Sequence, residues 1–241
     1  MEFRHVHQNT LTTLERLKAA TGPPEVVDIL ASALKCFGAE FFCFNFLPVC
    51  GQKFEDVLLA HNVPAGWVDL FLRKNFCAVD PSLRHCKRTV HPFDYLEAPY
   101  DRAKEPQAAE VIDRARDFRI EKGLLVPIAG PAGCEGDVWI GGYDLSIDHA
   151  DRPIVHLLAL YAFETVRVFS GRTMPTPSIT PREREVLTWA AAGKSAWEIG
   201  EILHISKRTV DGHCGRAAVK LNATTRVQAV AYAVKYRLIE P

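Results

Sequence analysis

The chain has 241 residues, nearly half of them apolar and about a quarter charged, and its 29 basic side chains are balanced by 29 acidic ones. Such a length fits two modest domains better than one, and the composition is that of a soluble globular protein able to bury real cores. No apolar run suggests a bilayer span and MEFRHVHQNTLTTLERLKAA lacks the apolar centre of an export signal, so a cytoplasmic protein without membrane association is expected.

Taken in chain order, residues 8–20 and 24–37 carry helical periodicity. AEFFCFNFLPV (39–49) is aromatic-rich and predicts a strand buried on both faces, with FEDVLLAH (54–61) as its hairpin neighbour. Helical signals return at 64–75 and 104–119. Residues 123–130 and 137–146 predict a second hairpin turning through Gly130-Pro131-Ala132-Gly133, and a long amphipathic helix follows over 152–169. Hairpin-joined strands with helices before and after predict an α+β fold, an antiparallel sheet between helical layers (α/β/α). Seven cysteines (Cys36, Cys43, Cys50, Cys77, Cys86, Cys134 and Cys214) form no CxxC pair, and their apolar surroundings suggest reduced thiols.

SGRTMPTPSITPRE (170–183) holds three prolines and a glycine with little apolar periodicity, which marks a linker. The expected organisation is therefore a first domain over 1–170, a linker over 171–178 and a second domain over 179–241. Charge supports the division. From Ile179 onward there are ten Lys/Arg against six Asp/Glu, a net +4, and the remainder carries −4. A basic tail on an acidic body is the footprint of an attached nucleic-acid module.

The tail is predicted to be all helix. Thr180 can cap a helix beginning at Pro181, with Glu183 at the capping-box position; that helix buries Val186, Leu187 and Ala190 and ends at Gly193. A second helix over about 195–203 buries Ile199, Ile202 and Leu203. After a turn at His204-Ile205, Ser206 caps a third, on which Val210, Cys214, Ala217 and Leu221 form a core stripe. Its other side carries Arg208, Asp211, Gly212 and Gly215, with Lys207, His213, Arg216 and Lys220 along the edges. This is helix-turn-helix geometry, in which the second helix of the pair enters the major groove.

These residues resemble the LuxR-type (GerE-like) helix-turn-helix domain: the ITPRE start, Glu183, Leu187, Gly193, GKSAWEI, ISKRTV, His213, KLN and Arg226 all fit its pattern. The resemblance implies a four-helix domain that dimerises through its last helix, here about 225–237, and binds a pseudo-palindromic operator in double-stranded DNA, with RNA polymerase a further partner. Lys207, Arg208, Thr209, His213 and Lys220 are the candidates for phosphate contact, which sets affinity and register. Asp211 is a candidate acceptor from cytosine and Arg216 a candidate donor to guanine.

Three kinds of front domain fit such a tail. A phosphorylated receiver needs an acidic cluster and a phosphate-accepting Asp at the end of an early strand, and neither is present in the first sixty residues. A PAS/GAF-shaped sensor of another metabolite remains open. The third is the acyl-homoserine-lactone-binding domain of quorum-sensing regulators, which NVPAGWVDLFLRKNFCAVDPSLRHCKRTVHPFDY (62–95) resembles at Pro64, Trp67, Phe71, Asp80-Pro81 and Pro92, with Gly123 and Pro127 matching a second segment. Taken alone, Asp80 before Pro81 is an ordinary helix N-cap with Pro at the first position, and Trp67 and Phe71, four apart, are ordinary core. The resemblance gives them more to do. It implies an autoinducer as the ligand, an N-acyl-homoserine lactone, with no other cofactor or metal. Asp80 accepts from its amide N–H, Trp67 donates to the lactone carbonyl, Ser82 donates to the acyl carbonyl and Tyr95 packs on the lactone ring. Val63 and Phe71 stand where the family carries Tyr, and Gly142 falls near a position that often carries a hydroxyl. These departures point to a branched or aryl side chain rather than a long 3-oxo chain. An enzyme fused to a DNA-binding module is the competing class. Ser82, His85 and Cys86 share one short helical stretch, but no nucleophile elbow or metal-ligand motif accompanies them, so no catalytic site is expected.

Overall fold

The computed structural model describes residues 3–48, 52–130, 133–172 and 178–240, with side chains from residue 9 onward. The chain divides into two compact units, Met1–Thr173 and Met174–Pro241.

The first unit is built on a five-stranded sheet ordered β2-β1-β5-β4-β3, every neighbouring pair antiparallel. Its helices in chain order are α1 (Phe3–Ala19), α2 (Pro23–Leu34), α3 (Phe54–Val57), α4 (Ala65–Arg73), α5 (Pro81–Cys86), α6 (Pro106–Arg116) and α7 (Arg152–Ser170). The strands are β1 (Phe41–Phe46), β2 (Leu58–His61), β3 (Phe93–Asp94), β4 (Lys122–Gly130) and β5 (Gly133–Gly142). Helices α2 and α7 pack on one face of the sheet and α1 packs on both of them. The other face is covered by α4, α5, α6 and the segments between them, whose side chains Leu70, Phe71, Leu83, Val111 and Ile112 cluster with Leu125 of β4.

The alternation of β1 explains why both its faces are apolar. Phe42, Phe44 and Phe46 are buried on the α2/α7 side, where the Phe46 ring meets Phe163 of α7 edge-on at 5.6 Å. Cys43 and Asn45 project to the opposite face. On β5, Val138 and Ile140 are fully buried and alternate with Asp137, Trp139 and Gly141.

Three elements differ from the sequence expectation. Residues 54–57 form a helical turn, because the Asp56 carboxylate accepts the Lys53 backbone N–H at 3.2 Å and closes the chain into α3; only 58–61 pair with β1. Strand β5 runs from 133 to 142 instead of 137 to 146, since Tyr143 and Ser146 turn away to donate to the Glu40 side chain (3.2 Å) and the Phe37 carbonyl (2.9 Å). The short edge strand β3, too brief for any periodicity, places the buried Tyr95 at its end, in a 3-10 turn whose other residues, Leu96 and Glu97, are exposed. Of the expected hairpin turn, Pro131 and Ala132 lie outside the described residues, as do 173–177 of the expected linker. Among the described residues α7 is the helix long and apolar enough, by length and composition, to cross a bilayer, which the sequence did not suggest; in the fold Val155, Leu158, Ala159, Ala162, Phe163 and Val166 make up its buried side.

The second unit contains α8 (Pro181–Ala191), α9 (Ala196–Leu203), α10 (Lys207–Lys220) and α11 (Arg226–Lys235). Capping boxes start α8 (Thr180 with Glu183) and α9 (Ser195 with Glu198), while Ser206 caps α10 through Thr209 N–H at 3.1 Å. Between α9 and α10 the turn is tight: His204 takes the left-handed conformation and Ile205 N–H returns to the Gly200 carbonyl at 2.9 Å. Val186, Ala196, Ile199, Val210 and Cys214 form one core, and Leu187, Ala217, Leu221, Ala229 and Ala233 lie in a second. Ile202 is not in either; it is 38 % exposed.

Candidate ligand cavity and nucleic-acid interface

A cavity opens between the sheet and the α4/α5/α6 layer, enclosing about 730 Å³ with the solvent at its mouth included. Its floor is the sheet face carrying Cys43, Asn45, Leu125, Asp137 and Trp139; α4 contributes Trp67, Val68 and Phe71, α5 contributes Ser82 and Leu83 behind its cap Asp80, and α6 contributes Val111, Ile112 and Ala115. Trp67 stands among aromatic rings, with Phe71 at 5.8 Å, Phe118 at 5.7 Å and Phe76 at 6.1 Å between centroids. The lining is thus largely apolar with a few convergent polar groups.

Six of the seven candidate ligand residues, Val63, Trp67, Phe71, Asp80, Ser82 and Tyr95, line this one cavity. Asp80 also caps α5. Its Oδ1 accepts the Ser82 backbone N–H at 2.8 Å and the Ser82 hydroxyl at 2.5 Å. Burial pushes the Asp80 carboxyl above the ordinary range, and the Ser82 and Leu83 donors and Arg84 pull against it. Ser82 therefore spends its hydroxyl proton on Asp80, where the sequence had suggested a donor to the acyl carbonyl. The Tyr95 hydroxyl donates to the Glu121 carbonyl at 3.3 Å, and burial raises its pKa to about 12.

The seventh candidate, Gly142, is not among the lining residues. It ends β5 against the loop after α2, where a Cβ would stand 2.2 Å from the Gly38 carbonyl oxygen, so backbone packing explains the glycine. The β5 residues that do face the cavity are Asp137 and Trp139, which the sequence analysis did not single out. Trp139 lies across two bare positions: a Cβ on Gly141 would fall 2.0 Å from its ring, and one on Gly123 2.6 Å from its Nε1. Asp137 is 1 % exposed, and its Oδ1 accepts from the Asn45 side-chain amide at 2.8 Å. Burial drives the Asp137 carboxyl well above the ordinary range, and the neighbouring Cys134 thiol and Asp80 add to the effect. Burial likewise raises the thiols of Cys43 and Cys77, the latter to about 11, so neither is a ready nucleophile. Among the described residues no group of three His, Cys, Asp or Glu side chains could hold a metal ion.

In the helical unit, Lys207, Arg208, Thr209, Asp211, Arg216 and Lys220 are exposed on α10 and His213 is half-buried. Two of these cations have partners at home. Lys220 Nζ donates to Glu183 Oε2 at 2.8 Å, and Arg216 Nε lies 3.8 Å from Glu183 Oε1. Lys220 thus braces the start of α8 against the end of α10, where phosphate contact had been expected. Arg216 Nη2 also meets His213 Nδ1 at 3.0 Å. Partial burial and the nearby Arg216 and Arg182 guanidinium groups lower the His213 pKa, with Glu183 pulling the other way. Lys207 and Arg208, in the first turn of α10, are exposed and form no ion pair among the described residues.

Comparison with known proteins places both units. Residues 23–166 match the autoinducer binding domain, and residues 177–233 match the bacterial regulatory proteins of the luxR family. The chain is 43 % identical over 235 residues to the transcriptional activator protein BjaR1 of Bradyrhizobium diazoefficiens, covering 97 % of each chain. It is 38 % identical over 228 residues to the quorum sensing-dependent transcriptional regulator RpaR of Rhodopseudomonas palustris, covering 94 % of this chain and 92 % of that one. In fold it resembles the crystal structure of Escherichia coli SdiA, with a TM-score of 0.68 at 23 % identity over 98 % of this chain and 99 % of that chain.

Proposed function

The chain belongs to the LuxR family of autoinducer-binding transcriptional regulators, and from that premise we propose that it senses an N-acyl-homoserine lactone in the cytoplasm and responds by binding a pseudo-palindromic operator as a homodimer. The carrying observation is the cavity in which Asp80, Trp67 and Tyr95 converge on one apolar space. An acyl-homoserine lactone presents an amide N–H, two carbonyls and a greasy side chain. A buried carboxylate acceptor, an indole donor and an aromatic lining are the groups that match it. In this reading Asp80 takes the amide proton, Trp67 the lactone carbonyl, and Tyr95 and the rings around Trp67 the lactone ring. The side chain then lies over the sheet floor. Trp139 occupies volume there, which supports a compact branched or aryl group over a long straight chain.

A ligand held only by the folded protein adds stability by mass action. Lactone binding accordingly stabilises the first unit and the assembly that presents two copies of α10 to DNA, about 34 Å apart along the duplex. Exposed apolar side chains support self-association on both units: Val227 and Val234, seven apart on α11, and Leu157, Tyr161 and Val168 on α7. On α10, Lys207 and Arg208 supply sequence-independent phosphate contacts. Asp211 and Arg216 supply base contacts. RNA polymerase is the further partner through which a bound regulator would act.

The test is to express the full chain with a mixture of synthetic homoserine lactones, purify it and identify what it retains by mass spectrometry. Intact lactone at one equivalent per chain is the expected result. A protein that retains none, and whose melting temperature ignores every lactone offered, would refute the proposal; release of the hydrolysed lactone would favour an enzyme instead.

A further inference from the structure

The buried pair on the cavity floor goes beyond lactone recognition. Asn45 and Asp137 stand directly opposite each other in the β1–β5 ladder, both facing the cavity, and are 2 % and 1 % exposed. A carboxyl group in such a place is an expensive structural element, because an apolar pair would hold the two strands with no desolvation cost. Asn45 spends its amide protons on Asp137 Oδ1 at 2.8 Å and on the Phe46 carbonyl at 3.3 Å. Among the described residues Asp137 has no cationic partner. Its surroundings are otherwise those of a greasy site: Leu125, Trp139 and Phe54 also line the space.

We propose that Asn45 and Asp137 form a second polar recognition point in the cavity, selecting a homoserine lactone whose side chain carries a hydroxyl group. The inference rests on the lactone reading and deepens it. A hydroxyl suits this pair in either protonation state, since it donates to a carboxylate and accepts from a carboxylic acid. A ketone can only accept, and both amide protons of Asn45 are already committed. A plain hydrocarbon leaves the carboxyl buried against carbon, which is the most costly outcome. The predicted order of preference is therefore hydroxyl, then 3-oxo, then unsubstituted, at equal chain length. Aliphatic and phenolic hydroxyls share this chemistry, and the sheet floor beside Trp139 can stack a ring.

The experiment uses the full-length protein and reads melting temperature against lactone concentration. One arm compares 3-hydroxyacyl, 3-oxoacyl and unsubstituted lactones of one chain length. A second compares aryl-substituted acyl lactones with and without a ring hydroxyl. A half-maximal concentration at least about ten-fold lower for the hydroxylated member of one arm is expected, the size of one hydrogen bond to a buried charged or polar group. The arm that shows it tells the aliphatic source from the phenolic one. In Asp137→Leu that ratio collapses toward one; in Asp137→Asn, which keeps the shape and a hydrogen-bonding tip, part of it remains. Equal response of the wild-type protein within both arms overturns the proposal while leaving lactone sensing intact, and it needs no variant to fold. A preference that persists unchanged in Asp137→Leu overturns it too. Silence toward every lactone removes the lactone reading and this inference together.

Discussion

Ser82 reaches Asp80 twice, through its backbone N–H at 2.8 Å and its hydroxyl at 2.5 Å, and both bonds end on the same carboxylate oxygen, Oδ1. One residue thus starts a helix and faces the cavity at once. Cap and anchor can be separated by substitution. In Asp80→Ser the side chain still caps α5 well, but it is shorter and carries no charge. We expect that variant to keep the secondary structure of the parent, measured by circular dichroism, and to lose lactone-induced stabilisation by about ten- to a hundred-fold in half-maximal concentration. Retention of the full lactone response in thermal melts would reduce Asp80 to a cap.

Gly142 separates packing from recognition in the opposite sense. A methyl group there collides with the Gly38 carbonyl, a backbone atom that cannot swing aside. Gly142→Ala should therefore lower stability by about 1–3 kcal/mol through overpacking. Relative preferences among lactones should stay as they were. Denaturant titration checks the first expectation and a lactone panel the second. A changed lactone ranking with undiminished stability would return Gly142 to the ligand site.

Both outcomes show which parts of the site could be found in the sequence. Asp80, Trp67 and Phe71 fall within one stretch of local sequence and carry a family pattern, so their gathering around one cavity was foreseeable. Asp137 and Asn45 meet only through the β1–β5 register, and the strand assigned to 137–146 was displaced by four residues from its actual start. Gly142 was a candidate through the family resemblance, and although Asp137 and Trp139 lie within the expected strand, nothing in its local pattern marks them as facing a cavity. Asn45 did offer a signal: a single amide inside FFCFNF is a polar group that must find a partner when buried. The helical tail was more legible, because caps, turn and core stripe are local features. What that reading did not include was the partner of Lys220, Glu183, which lies 37 residues away.

The candidate DNA contacts proposed on α10 differ in whether they already hold a partner. Lys207 and Arg208 are exposed at the start of α10, whereas Lys220 is held by Glu183. Replacing both Lys207 and Arg208 by Ala should weaken binding to operator and unrelated DNA alike and reduce the slope of log K against log salt by about 2, since about one counterion is released per phosphate contact. Lys220→Ala should leave that slope unchanged and lower the melting temperature. Fluorescence anisotropy over a salt series distinguishes the cases, and a reduced slope for Lys220→Ala would mean that the lysine leaves Glu183 to meet phosphate.

Glu183 itself gives a prediction in pH. Burial works to raise its carboxyl, but the Lys220 ammonium and the Thr180 donors outweigh it and hold the group below the ordinary carboxylate range. A carboxyl depressed in the folded state stabilises that state above its unfolded pKa of about 4.3, and the contribution is lost as pH falls through the folded value. The Gln side chain in Glu183→Gln does not titrate, so the melting-temperature difference between parent and variant follows this one group and cancels the titration of Asp80 and Asp137 elsewhere. We expect a difference of about 1 kcal/mol near pH 7, modest because water reaches Lys220, shrinking below about pH 4. Parallel melts of the two full-length proteins from pH 7 to pH 3.5 measure it. A difference that stays constant across that range would show that Glu183 acts through shape and capping geometry alone, with no part played by its charge.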